Sequence, residues 1–142
     1  MTLAEALHPM TDNAGRLRSY VEGINRGDVS AADAVCAHDC VVHITGRAEP
    51  IVGLASYREH AAAILVAFPD VHFTIEELLT IDDIVVMRWH ARGTHRGPFG
   101  PIPATGKPVS IFGLIIDHFV EGRISVRWEQ YDQALLLQQI GM

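Results

Sequence analysis

Positive charge is in short supply in this 142-residue chain. Eleven Lys and Arg stand against seventeen Asp and Glu, a net of -6, with both signs mixed along the sequence. That balance argues against nucleic acid as the main partner, and no basic groove interleaved with aromatics offers bases a place to stack. No apolar run is long enough to span a bilayer, and the first residues, with Glu5 and His8-Pro9, lack a basic-then-apolar leader, so a cytoplasmic protein is expected. Linkers, repeats and low-complexity tracts are missing too. One domain over residues 1–142 is therefore expected, with enough hydrophobic content, 49%, to bury a real core. Cysteine is limited to Cys36 and Cys40. Their spacing, with His38 and His43 nearby, would suit the start of a metal site, but no second Cys/His cluster completes four ligands, so both read as small buried apolar residues.

What is present is periodicity. Leu17, Tyr20, Val21 and Ile24 form one stripe of a first helix, from about Thr11 to Arg26, ended by Gly27-Asp28. An alanine-rich second helix is expected from Ser30 to about Ala37, a short strand over 41–44, and a loop over 46–50. Leu54, Tyr57, Ala61, Ile64, Leu65 and Phe68 mark a third helix over 54–68, closed by Pro69-Asp70. From there the period changes to two, giving strands over 71–79, 84–95, 108–120 and 123–131, followed by a short helix over 135–140 stopped by Gly141. Helices followed by a meander of long strands imply an α+β fold: a cone-shaped, curved antiparallel or mixed sheet wrapped around the N-terminal helices, with a pocket on its concave side.

The inward faces follow from alternation. In the second long strand Val85, Met87, Trp89 and Ala91 alternate with Arg88, His90 and Arg92, so Trp89 faces in. His95 shares that parity, although a lone histidine at a strand end is more often structural. In the last strand Ile124, Val126, Trp128, Gln130 and Asp132 share one face, while Ser125, Arg127, Glu129 and Tyr131 share the other. The mostly apolar face should point inward, which ends an inward row on a carboxylate. Asp132 is then either a base at the edge of an apolar pocket or the N-cap of the final helix, and the two roles can coexist. The hairpin decides the placement of His118. A three-residue loop with Gly122 at positive φ pairs His118 with Ile124 and turns it inward, and this is the favoured pairing because a type I′ turn would force glutamate to positive φ. A two-residue turn at Glu121-Gly122 would exchange Asp117 and His118.

The stretch 89–99, then Ile102-Pro103-Ala104-Thr105-Gly106-Lys107, then Gly122-Arg123-Ile124 with Trp128-Glu129 and Asp132, resembles the SnoaL-like polyketide cyclases, also called ester cyclases, of the nuclear transport factor two-like superfamily with its cystatin-like barrel. The likeness runs from about Tyr20 to the Leu136-Gln139-Gly141 ending and includes Ala67-Phe68-Pro69-Asp70. It implies a cofactor-free, metal-free aldol ring closure on a polyketide ester, as in antibiotic biosynthesis, with Asp132 as the general base and His118 binding the substrate oxygen or protonating the product. Trp89, Trp128, Phe73, Phe112 and Met87 are expected to wall the pocket, with His43, Tyr20 and His95 as further contacts. Each of the five wall residues is borne on a strand, where such side chains are more often plain core.

Val126 stands where the family commonly carries a glutamate, and Gly100-Pro101 replaces a leucine and glycine. A drier pocket of that kind would also suit cycloaddition, isomerisation, hydroxylation or epoxide opening, and the superfamily includes non-catalytic binding modules. The partner is therefore expected to be a small hydrophobic molecule, with no nucleic acid or membrane. Self-association as a dimer or tetramer is expected through an outer sheet face mixing Arg88, Arg92, Arg127, Glu129 and Tyr131.

Overall fold

The computed structural model describes residues 12–141. The Leu17, Tyr20, Val21 and Ile24 stripe becomes the buried side of α1 (Asn13–Asn25); the expected start at Thr11 lies outside the described residues. Asn25 ties this helix to the sheet, donating to the Phe73 carbonyl at 2.9 Å and accepting from the Phe73 N–H at 2.8 Å. The alanine-rich segment is shorter than expected. A 3-10 turn, Val29–Ala31, leads into α2 (Ala32–Val35), and the chain becomes extended at Cys36 to form β1 (Cys36–Ile44). Cys36 and Cys40 are buried on that strand, packed as small apolar groups.

A two-residue strand β2 (Ile51–Val52) precedes α3 (Leu54–Ala67), which buries Tyr57 and Ala61. The turn after α3 is pinned by Asp70, whose carboxylate accepts from the Thr94 N–H and hydroxyl at 2.7 and 2.8 Å. The remaining elements are β3 (His72–Ile81), β4 (Ile84–Thr94), β5 (Pro108–Val120), β6 (Arg123–Tyr131) and α4 (Gln133–Gln139), with β3 running on past its expected end and α4 starting earlier than expected. The six strands run in the order β2-β1-β6-β5-β4-β3, antiparallel throughout except for the parallel β1–β6 pair. The result is the α+β architecture expected: a curved, open, mixed sheet with the helices packed on one face.

The β5–β6 hairpin departs from expectation, and the departure decides what lines the concave side. Val120 pairs with Arg123 around a two-residue turn in which Glu121 and Gly122 both have positive φ, 51° and 78°. That is the I′ geometry whose twist suits a right-handed hairpin, adopted even though glutamate is strained there. The ladder then steps from Phe119–Ile124 to His118–Val126, leaving Ser125 as an extra, bulged residue. One extra residue reverses all later parity. Ile124 is buried as expected, but beyond the bulge Arg127 turns inward, at 2% exposure, and Trp128 turns outward, at 47%. On β5, Asp117 and Phe119 face in and His118 faces out. The expectation that His118 and Trp128 share an inward face is thereby corrected.

Candidate active site

Trp89 sets one wall of the interior. Its strand partner is Gly113, where a Cβ would stand 2.1 Å from the indole. Only glycine leaves room for the ring to lie across β5 at that point. Around it α1, α3 and the concave faces of β4 and β5 enclose a cavity of about 140 Å³, walled mainly by Ile24, Ile64, Phe73, Met87, Ile111 and Ile115. Phe99, from the loop between β4 and β5, also reaches it and packs against Phe68 with ring centroids 5.8 Å apart.

Polar groups converge at one end. The Nε and Nη2 atoms of Arg127 donate to the two carboxylate oxygens of Asp117 at 2.7 and 2.8 Å, and Nη1 donates to the Tyr57 hydroxyl at 2.8 Å. Tyr57 and Tyr20 join hydroxyls at 2.9 Å, and the guanidinium lies 5.4 Å from the Tyr20 ring centroid and 5.7 Å from that of Tyr57. A bidentate buried pair with a third acceptor on the cation offsets much of the cost of desolvating two charges. Burial pushes the Tyr20 hydroxyl up to about 12, and Tyr57 shifts up for the same reason, with Arg127 opposing both shifts. Both tyrosines are therefore protonated at neutral pH.

Glu129 lies on β6 one inward step beyond Arg127 and lines the same cavity. Burial raises its pKa above the ordinary carboxyl value, Arg127 pulls it back and Asp117 pushes it further up. A carboxylate so placed is a stronger base than one in water. His60, one turn along α3 from Tyr57, also lines the cavity, and burial lowers its pKa with Arg47 adding to the effect, so it presents a neutral imidazole. Tyr131 completes the polar end, raised first by burial and then by Glu129.

Of the residues singled out from the sequence, Tyr20, Phe73, Met87 and Trp89 line this cavity. Four others sit on the opposite face of the sheet. Trp128 stacks on His43 with centroids 3.9 Å apart and planes 11° apart, Phe112 stacks on His90 at 4.3 Å, and His118 borders a shallow outer hollow with Trp128. His95 is wholly buried away from the cavity wall, its Nδ1 within 2.9 Å of the Thr105 hydroxyl and its ring against Phe68. Asp132 is exposed and caps α4, accepting from the Leu135 N–H at 2.9 Å. Asp117 entered the sequence reading only as the alternative to His118, and Arg127 and Glu129 were placed on the outer face expected to mediate self-association. The Glu-Gly turn and the small Ser125 after it were the signals that would have exchanged the faces.

A curved, open α+β sheet whose concave side holds an apolar cavity with a Tyr-Arg-Glu end, backed by Asp117, is the architecture of the nuclear transport factor two-like class. The sequence profile of the SnoaL-like polyketide cyclases matches residues 14–140, and the chain belongs to that family. Among solved structures it is similar to AclR of Streptomyces galilaeus, described as a candidate hydroxylase, with 26% identity over 93% of this chain and 97% of that one and a TM-score of 0.81. IdmH of Streptomyces antibioticus, described as a candidate polyketide cyclase, shares 26% identity over 92% and 99% of the two chains, with a TM-score of 0.79. A candidate SnoaL-like polyketide cyclase from Jannaschia sp. CCS1 has a TM-score of 0.86 over 93% of each chain at 15% identity, a likeness of fold alone. Comparison with curated proteins found no match.

Proposed function

We propose that this protein closes a ring within a polyketide-type substrate, with Glu129 as the general base. The observation that carries this reading is that Glu129, raised in pKa by burial, is the one carboxylate among the described residues lining a largely apolar cavity. Glu129 takes a proton from a carbon flanked by carbonyl groups. The resulting enolate carbon attacks a carbonyl of the same molecule, forming the new C–C bond, and the alkoxide takes its proton back from the Glu129 carboxyl. Holding both reacting carbons of one molecule in contact supplies several kcal/mol, and a well-placed base adds about 10²–10⁴-fold in rate. Asp132 serves in this reading as the helix cap.

The test is incubation with an aromatic polyketide ester bearing an acidic methylene, with products followed by mass spectrometry. Ring closure gives an isomer of unchanged mass. The likeness to AclR supports a second reading, hydroxylation, which would add the mass of one oxygen. Loss of turnover in Asp132→Asn with turnover retained in Glu129→Gln would move the base to Asp132.

We also propose that the protein pairs with a second copy through the outer face of the sheet. The basis is not the mixed polar face expected from the sequence, since Arg127, Glu129 and Tyr131 turn inward. It is a contiguous apolar surface: Phe112, Leu114 and Ile116 in a row on β5, with Trp128 beside them on β6, are 41–55% exposed. A patch of this kind is more apolar than a lone sheet face usually presents to water. Light scattering that reports only monomer at high micromolar concentration would remove this part of the reading.

A further inference from the structure

We propose that Tyr20 is a substrate-contacting group in its own right, a hydroxyl donor to an anionic oxygen in the cavity, aimed there by the chain of hydrogen bonds running from Asp117 through Arg127 and Tyr57. The inference rests on the cavity being the reaction site and adds what kind of ligand atom its polar end accepts.

The reason is one of direction. Arginine can only donate, so the contact from Arg127 Nη1 at 2.8 Å makes the Tyr57 hydroxyl oxygen an acceptor. Tyr57 has one proton, and its other hydroxyl partner is Tyr20 at 2.9 Å. Polarisation by the cation favours each donor pointing away from it, so Tyr57 donates to Tyr20. Tyr20 then has its own proton left over, and among the described residues its hydroxyl makes no hydrogen bond besides the one to Tyr57. The residue is 8% exposed and lines the cavity, so that proton points to whatever occupies it.

Asp117, fully buried and outside the cavity lining, holds the guanidinium of Arg127 in place by two bonds at the cavity's polar end. The cavity thus meets a hydroxyl tip backed by a cation, a preorganised donor for an oxygen that gains negative charge. The ligand class that fits is a flat, apolar molecule carrying an acidic enol or phenol oxygen. In the proposed ring closure that oxygen is the one on which the enolate charge develops.

Binding of 4-nitrophenol, whose phenolate absorbs in the visible, tests this without knowledge of the substrate. The measurement is made in a Glu129→Gln background, so that no carboxylate competes for the proton, at a pH about one unit below the phenol's solution pKa. Displacement of Nile red reports occupancy of the cavity, and growth of the phenolate band reports ionisation. The expected result is displacement with the phenolate form favoured about tenfold over solution, and loss of that preference, but not of displacement, on adding Tyr20→Phe. Tyr57→Phe, which cuts the chain one link back, should reduce the preference by an intermediate factor. Displacement with no growth of the band, or a band unchanged in both tyrosine variants, would overturn the donor role and leave the cavity reading standing. Absence of any displacement would overturn both.

Discussion

Glu129 and Asp132 are three residues apart in sequence and in different surroundings, and the difference predicts opposite responses to the same chemical change. Glu129→Gln should lower turnover by ~10²-fold or more, because an amide cannot take the proton. The same substitution should raise thermal stability at neutral pH and above. A carboxyl whose folded pKa lies above its unfolded value holds its proton more tightly when folded, so stability falls as pH rises through the folded value. The amide variant escapes that loss, and melting curves of the two proteins should converge near the unfolded carboxyl value of about 4 and separate above it, with the variant the more stable. In the wild type, the acid limb of kcat/KM should have its midpoint above the ordinary carboxyl value of 4.5. Asp132→Asn should change little, since asparagine also caps, whereas Asp132→Ala should cost about 1 kcal/mol in chemical denaturation. Asp117→Ala would leave the Arg127 cation buried without its partner and should cost ~3–5 kcal/mol.

At the scale of elements the β5–β6 hairpin controls the site. Glu121 at a φ of 51° is strained in a turn that favours Asn-Gly, so Glu121→Asn should stabilise the protein by about 1 kcal/mol without altering the cavity, as read by denaturant midpoint and ligand displacement. Deleting Ser125 should do the reverse, removing the bulge and driving Arg127 and Glu129 toward the outer face; circular dichroism and loss of cavity binding would report it. This hairpin also marks where the sequence stopped being legible. Alternation in Met87, Trp89 and Ala91 located the inner face of β4 correctly, because an unbroken ladder to β5 preserves parity over its whole length. The helical stripes of α1 and α3, the start of β4 and both ends of β5 and β6 were legible too, since local periodicity and turn residues mark them without knowledge of register. On β6 the apolar run Ile124, Val126, Trp128 pointed to the wrong face beyond the bulge, because an apolar outer sheet surface looks in sequence like a core face. Tyr20, on the α1 stripe, was legible as a pocket residue; Arg127 was not, because a buried ion pair is indistinguishable from two surface charges until register is known.

For the whole molecule, the proposed reading gives the two faces of the sheet separate jobs. The concave face holds the cavity with its Asp117–Arg127–Tyr57–Tyr20 chain and Glu129, and the outer face exposes Phe112, Leu114, Ile116 and Trp128, the surface we propose pairs with a second copy. Trp128→Glu should therefore weaken self-association, measured by sedimentation, while leaving cavity binding in place. Had the faces been assigned as alternation suggested, the same substitution would destroy the pocket. The central claim is that chemistry occurs on the concave face with Glu129 as its base. Its most direct test is the rate of mass-neutral product formation from a polyketide ester by the wild type, Glu129→Gln and Asp132→Asn side by side. The account predicts loss in Glu129→Gln and near-wild-type turnover in Asp132→Asn; full activity in Glu129→Gln would contradict it.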